Sequence, residues 1–187
     1  MKRIYSLTKI KNFSDLYFRA SGFKVPIEYL ATSQVYVCEQ DGRYVGGFVV
    51  GKSNEYKRTL EVFVSDENKN SMYLMSEDTI EVCCFWMDKN FRSNKMASIF
   101  CWIRMCWIIT WQKEKQIIWG TNNISLAKVY DLPARSHCVH IDEQAGKRSY
   151  VFMAATNYFL LGVGSVIKNK LLGNINSKKR IVTYNKR

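Results

Sequence analysis

Proline is scarce in this chain of 187 residues: only Pro26 and Pro133 occur. With 47% apolar residues and 24% charged ones, that excludes a collagen-like repeat, a Pro-rich disordered chain and a coiled coil. Histidine is equally rare, with His137 and His140 alone. There is no CxxC pair, and the six cysteines lie inside apolar runs, where a free thiol behaves as a small hydrophobe. We therefore expect free thiols and a reducing, cytoplasmic setting. No apolar run is long enough to cross a bilayer. The longest, Met96 to Trp111, has 16 residues and contains Arg104, and reads as a buried helix. The opening MKRIYSLTKIKNF has no apolar stretch of the kind a secretory signal needs.

A chain of this length can bury roughly 70% of its unfolded surface, so it needs neither disulfide nor metal to hold a core. The net charge is +12, and its distribution matters more than its size. Residues 1–11 hold Lys2, Arg3, Lys9 and Lys11 and no acid. Residues 168–187 hold Lys168, Lys170, Lys178, Lys179, Arg180, Lys186 and Arg187, again without an acid. The stretch between is close to neutral. Basic ends suit nucleic acid, anionic lipid or an acidic carrier protein, or are simply solvated tails. We read one domain over 1–167 and a basic tail over 168–187.

Ile4–Leu7 is a short apolar start that fits a strand. A helix is expected from Asn12 to Phe23, capped by Ser14 and stopped by Gly22. Pro26 opens a second helical piece. Val35–Gln40 and Tyr44–Val50 read as strands joined by Asp41-Gly42, a strong hairpin signal. Gly46 and Gly47 suggest a bulge or a close backbone neighbour. Thr59–Val64 alternates like a strand, and Asp66–Ser71 reads as a polar loop. Thr79–Met87 is an apolar run typical of a strand covered on both faces.

After a polar turn, Asp88–Lys95, comes the apolar helix from Met96 to about Lys113. Positions 96, 99, 100, 103, 107 and 110 form its apolar face, and Trp102, Trp107 and Trp111 read as core. Gln116–Gly120 is a strand, and Asn123–Tyr130 a helix that Asn123 can cap. His137–Asp142 and Ser149–Ala155 are the last strands. The expected fold is a mixed, mostly antiparallel sheet flanked by helices, of α/β or α+β type.

The start of the long helix presents unpaired N–H groups and a positive dipole, which together attract an anion. Arg92 and Lys95 add charge, and Ser93 and Asn94 can cap or donate. Residues His137, Cys138 and His140 have metal-ligand chemistry, but only Cys138 and His140 share a strand face and no second ligand pair stands near, so no metal site is read. No cysteine sits in a polar or basic setting, so none is read as a nucleophile.

The stretch Arg92-Ser93-Asn94-Lys95-Met96-Ala97 resembles the pyrophosphate-binding turn of the GNAT-type acyltransferases, Arg/Gln-x-x-Gly-x-Gly/Ala. Arg92 and Ala97 fit, and Lys95 stands where the pattern has Gly, supplying a cation instead of a close backbone approach. A second patch agrees. Asn123 precedes Tyr130 by seven residues on the helix after the next strand, as in that family, although Asp131-Leu132-Pro133-Ala134 replaces its Leu-Gly-Phe. The resemblance covers roughly Val35 to Ala155.

It implies transfer of an acyl group from acyl-CoA, acetyl or longer, to an amine acceptor by direct attack. The pantetheine arm would lie between two parting strands and bond the backbone near Phe85, Trp86 and Met87. The phosphates would meet residues 92–97, with Asn123 beside the cofactor. Tyr130 would protonate the leaving thiolate, and Glu81, an apparently isolated carboxylate expected to have a raised pKa, would serve as base, with Asp88 in reserve. The apolar helix and Tyr158–Ile167 suit the lining of a site for a long acyl chain. The competing reading is a catalytically silent module of the same fold that binds nucleic acid or anionic lipid through its basic ends.

Overall fold

The computed structural model describes residues 1–53, 55–114, 116–130, 136–144 and 147–156, the side chains of 129, 130, 136, 144 and 147 excepted. Tyr158–Ile167, the tail 168–187 and the side chain of Tyr130 thus lie outside the described residues. The order is β1 (Lys2–Ile4), α1 (Leu7–Ser21), α2 (Ile27–Thr32), β2 (Gln34–Gln40), β3 (Arg43–Gly51), α3 (Arg58–Phe63), α4 (Asp66–Met75), β4 (Thr79–Met87), α5 (Lys89–Ser93), α6 (Lys95–Thr110), β5 (Gln116–Thr121), α7 (Ile124–Tyr130), β6 (Ser136–Gln144) and β7 (Lys147–Ala155). The strands form one sheet in the order β1-β2-β3-β4-β5-β7-β6. Among the described residues only β4 and β5 run parallel; every other neighbouring pair is antiparallel. The expected mixed, mostly antiparallel sheet is the observed one.

Both sheet faces are covered. On one, Met105, Cys106 and Ile109 of α6 and Ala127 of α7 pack on Phe48, Val50, Ile80, Val82, Ile117, Trp119 and Phe152. On the other, Ile10 and Phe13 of α1 and Tyr29 and Leu30 of α2 meet Val35, Val37 and Val49, while Leu60 and Val64 pack on Ile118 and Val151. Each fully buried aliphatic or aromatic side chain contributes about 1.5–3 kcal/mol by leaving water.

The hairpin signal holds: Asp41 and Gly42 both take positive φ, 50° and 74°, as a tight primed turn requires. Gly22 ends α1 at φ 77°. Gly47 is needed for space, since a Cβ there would stand 2.5 Å from the Tyr36 carbonyl oxygen.

Several expectations are corrected. α1 begins at Leu7, because Ser6, not Ser14, caps it by accepting the Lys9 N–H. Lys2 and Arg3 are not tail residues; they lie in β1, where Lys2 pairs with Glu39. Thr59–Val64 is largely helix α3, since the buried residues Leu60 and Val64 satisfy i, i+4 as well as alternation. The polar loop at Asp66–Ser71 belongs to α4, which starts with Asp66 and Glu67 in its first turn, where acids favour the helix dipole.

The face assigned to α6 is also largely reversed, Ile99 alone of its six positions being buried. Ser98, Ile99, Cys101, Met105, Cys106 and Ile109 are buried, whereas Met96, Phe100, Ile103, Trp107 and Trp111 are exposed. Of the three tryptophans read as core, only Trp102 is partly buried, against Phe85. Finally, an extra residue in β6 at Val139 puts Cys138 opposite Phe152 and His140 opposite Val151. Phe152 and Val151 face opposite cores, so Cys138 and His140 do not share a face.

Candidate active site

The centre of the sheet contains a division. The parallel ladder of β4 and β5 covers Thr79↔Gln116, Ile80↔Ile117 and Glu81↔Ile118 and goes no further. Both strands continue. β4 stays with β3 as far as Met87, opposite Gly46, and β5 stays with β7 as far as Thr121, opposite Tyr150. Each central strand follows its outer partner, so the sheet parts from Val82 and Trp119 onward.

A bulge in β4 lies on this parting edge. Val49 pairs with Cys83 and Gly47 with Trp86, so β4 uses two residues, Cys84 and Phe85, where β3 uses one. Cys84 takes φ 54°, a left-handed conformation that is uncommon for a residue with a side chain. The bulge flips the alternation. Cys84 and Trp86 join the α1 side, while Phe85 faces the α6 side, its ring 4.5 Å from that of Trp102. An extra residue leaves ladder groups unpaired. Phe85 is half-buried and Trp86 and Met87 are buried.

β4 then runs into α5 and α6. Asp88 is engaged as a cap: its Oδ1 accepts the N–H groups of Asn90 at 2.8 Å and Phe91 at 3.4 Å. Asn94 caps α6, its Oδ1 accepting the Ala97 N–H at 3.2 Å, and its carbonyl accepts the Ser98 N–H. Of the turn 92–97, the N–H groups of Lys95 and Met96 are the first-turn donors that helix geometry leaves without an intrahelical partner. The side chains of Arg92, Ser93, Asn94, Lys95 and Met96 are all exposed. Across the parting, Asn123 caps α7, its Oδ1 accepting from Ser125 at 2.9 Å and Leu126 at 3.2 Å. Tyr130 is the last residue of that helix.

Glu81 is not isolated. It is 1% exposed and sits at the last rung before the strands part. Its Oε2 accepts the Tyr29 hydroxyl at 2.6 Å and the Arg58 N–H at 2.9 Å, and its Oε1 accepts the Thr59 N–H. Arg58 and Thr59 open α3, whose preceding residue Lys57 gives no side-chain cap. The carboxylate of Glu81 therefore caps α3 from another strand. Tyr29 also touches the Cys83 sulfur at 3.1 Å, and burial, with the Cys83 thiol and the Glu81 carboxylate, pushes its phenol well above the ordinary range. Lys57 is buried and donates to the carbonyls of Ser53 and Thr79. Desolvation lowers its pKa, opposed by the carboxylates of Glu81 and Asp78.

One cysteine does occupy a polar setting, which its apolar sequence neighbours conceal. The Cys38 thiol is pulled down to about 6, chiefly by a hydrogen bond from Cys101, with the N-terminal amine and Arg104 acting in the same direction against burial. The residues that sequence reasoning missed, Tyr29, Lys57, Arg58 and Thr59, reach Glu81 across long separations and carry no local signal. The bulge has no glycine to announce it.

No family model matches the sequence, and no curated protein matches it either. Solved structures do. The N-acyl amino acid synthase FeeM from uncultured soil microbes superposes with a TM-score of 0.60 at 9% identity, over 84% of this chain and 91% of that one. MesI, a CoA-dependent acyl-homoserine lactone synthase, gives 0.58 at 10% identity, over 89% and 88%. An IAA acetyltransferase from Bacillus cereus ATCC 14579 gives 0.52 at 14% identity, over 82% and 97%. With its parted parallel pair, bulged central strand and capped long helix, this chain has the fold of the GNAT-type N-acetyltransferases and acyl-homoserine lactone synthases.

Proposed function

We propose that the protein transfers an acyl group from acyl-CoA to an amine acceptor. The observation that carries this reading is the parting of β4 and β5 beyond Glu81 and Ile118, with a bulge on the parting edge. The gap offers unpaired backbone groups to an extended amide-bearing arm, and the start of α6 follows β4 directly. Lys95 and Met96 N–H groups, with the cations of Arg92 and Lys95, suit the pyrophosphate. The names of the structural neighbours, an acetyltransferase, an N-acyl amino acid synthase and a lactone synthase, agree with acyl transfer.

In this reading the acceptor nitrogen attacks the thioester carbonyl carbon. The tetrahedral intermediate collapses by breaking the C–S bond, and the thiolate leaves. Tyr130, at the end of α7, donates the proton to sulfur, and the nitrogen gives its proton to water in the gap. Glu81 and Asp88, the two carboxylates expected to act as base, are both occupied by backbone N–H groups. We assign Glu81 to holding α2 and α3 on β4 at the point where the strands part, and Asp88 to starting α5.

Thermal shift tests this reading. CoA should raise the melting temperature in a concentration-dependent way, because a ligand that binds only the folded state stabilises it. No shift with CoA or any acyl-CoA, together with a salt-sensitive shift from RNA or anionic vesicles, would overturn it in favour of a catalytically silent module.

A further inference from the structure

Helix α6 is apolar on two opposite sides. Ser98, Cys101, Met105 and Ile109 are buried. Met96, Phe100, Ile103, Trp107 and Trp111, spaced i, i+4, i+7, i+11 and i+15, form a second stripe on the outer side. Their exposure runs from 38% at Ile103 to 71% at Trp111. Trp107 and Trp111 lie against one another, with ring centroids 5.7 Å apart. Helix α7, which packs on the same sheet face, exposes Ile124 and Leu126. Contiguous exposed apolar surface of this kind marks an interaction site.

The charges around it have one sign. Helices α5, α6 and α7 hold Lys89, Arg92, Lys95, Arg104 and Lys128 and no carboxylate, a net of +5. All five are exposed. Helices α1 to α4 balance five cations against Asp15, Glu28, Glu61, Asp66 and Glu67, a net of zero. The charge is therefore concentrated on the helices that carry the apolar stripe. Arg104 lies one turn beyond Phe100 and borders the stripe directly. Arg92 and Lys95 have another use if they meet pyrophosphate, and Lys89, Arg104 and Lys128 remain without them.

This combination selects among occupants. A second copy docked through the same face would bring two sets of these cations together, and like charge opposes that contact. A nucleic-acid surface interleaves cations with its stacking rings, whereas the stripe runs through five large apolar side chains without a charge among them. An anionic lipid surface matches both features: headgroups meet the cations, and the boundary beneath them takes indole, phenyl and thioether groups.

We propose that the protein docks on anionic phospholipid surfaces through α6 and α7, with the Met96-to-Trp111 stripe entering the headgroup boundary and Lys89, Arg104 and Lys128 meeting the headgroups. The contact lies on the bilayer and does not span it: no helix among the described residues is long and apolar enough to cross.

The test uses the full chain, sedimented with vesicles of phosphatidylcholine alone and of phosphatidylcholine with phosphatidylserine. Affinity should be at least about tenfold higher for the anionic vesicles, and the difference should shrink as salt rises. Phe100→Ser with Trp107→Ser should keep the wild-type melting temperature, because both side chains are exposed, and should lose at least about tenfold in affinity. Equal affinity in this variant means that the basic ends hold the lipid, and overturns the proposal. A wild type that binds neither vesicle does the same. Trp107→Phe with Trp111→Phe keeps the aromatic bulk and supplies a second measurement. Anionic vesicles brominated along their acyl chains should quench the fluorescence of the wild type and much less that of this variant; equal fractional quenching excludes the stripe from the bilayer boundary. Dimerisation of the wild type in sedimentation velocity, abolished by the two Ser substitutions, would give the surface to a second copy instead.

Discussion

Replacing Glu81 with Gln separates a structural carboxylate from a chemical one. In the wild type this group is 1% exposed and accepts three hydrogen bonds, from Tyr29 and from the first two N–H groups of α3. Gln keeps the volume, but only its oxygen can accept; its NH2 group must face a donor. At least one partner is left unsatisfied in a buried site. An orphaned buried donor costs about 1–3 kcal/mol, and loss of a helix cap about 0.5–2 kcal/mol. Lys57 also loses a nearby countercharge, although its ammonium retains the Ser53 and Thr79 carbonyls. These effects overlap, so the combined loss is about 2–4 kcal/mol. At about 2–4 °C per kcal/mol for a chain of this size, the melting temperature should fall by roughly 4–16 °C. Circular dichroism melts measure this directly, and turnover at a temperature well below both transitions measures the chemistry. We expect a clear fall in melting temperature with kcat within a few-fold of wild type. A melting temperature unchanged by the substitution refutes the capping argument. A drop in kcat of about 10²–10⁴-fold in a variant that is still folded shows instead that Glu81 is the base.

The same geometry sets four further outcomes. Arg92→Glu combined with Lys95→Glu should weaken CoA binding by about tenfold or more, at least about 1.4 kcal/mol, and calorimetry that finds equal affinity removes the pyrophosphate from the start of α6. Tyr130→Phe should lower kcat by about ten- to a thousandfold while leaving CoA affinity in place; an unchanged kcat returns Tyr130 to packing. Gly47→Ala should cost about 1–3 kcal/mol in urea unfolding, because its Cβ would meet a backbone carbonyl at 2.5 Å that cannot swing aside. Tyr29→Phe should change the alkaline limb of stability. The folded phenol, raised by burial, keeps its proton above pH about 10, where the unfolded chain releases it. The folded state then binds more protons, and stability falls as pH rises through that window. Phe removes up to one proton from that slope, about 1.4 kcal/mol per pH unit, and an alkaline limb parallel to wild type would show that Tyr29 does not contribute.

Much of the fold could be read from residues near one another in sequence. Asp41-Gly42 determined a hairpin because the turn needs two positive φ values. Gly22 ended a helix for the same reason. The run Thr79–Met87, apolar but for Thr79 and Glu81, marked the central strand, and Asn123 capped α7 because its side chain reaches N–H groups only two and three residues on. Such signals act over one turn of chain and need no partner from elsewhere.

The tertiary structure decided what depends on distant partners. Thr59–Val64 alternates, yet it becomes helix because Glu81, a residue of another strand, satisfies its first N–H groups. The same contact turns an apparently lone carboxylate into a cap. Hydrophobicity alone showed that α6 was apolar but not which side met the sheet, since both sides carry large side chains; only the docking of Met105 and Ile109 on β3, β4 and β5 settled it. The division of the sheet is of this kind too. Nothing in Val82 or Trp119 announces that their strands separate, because the separation shows only in each strand holding to its outer neighbour beyond the last shared rung.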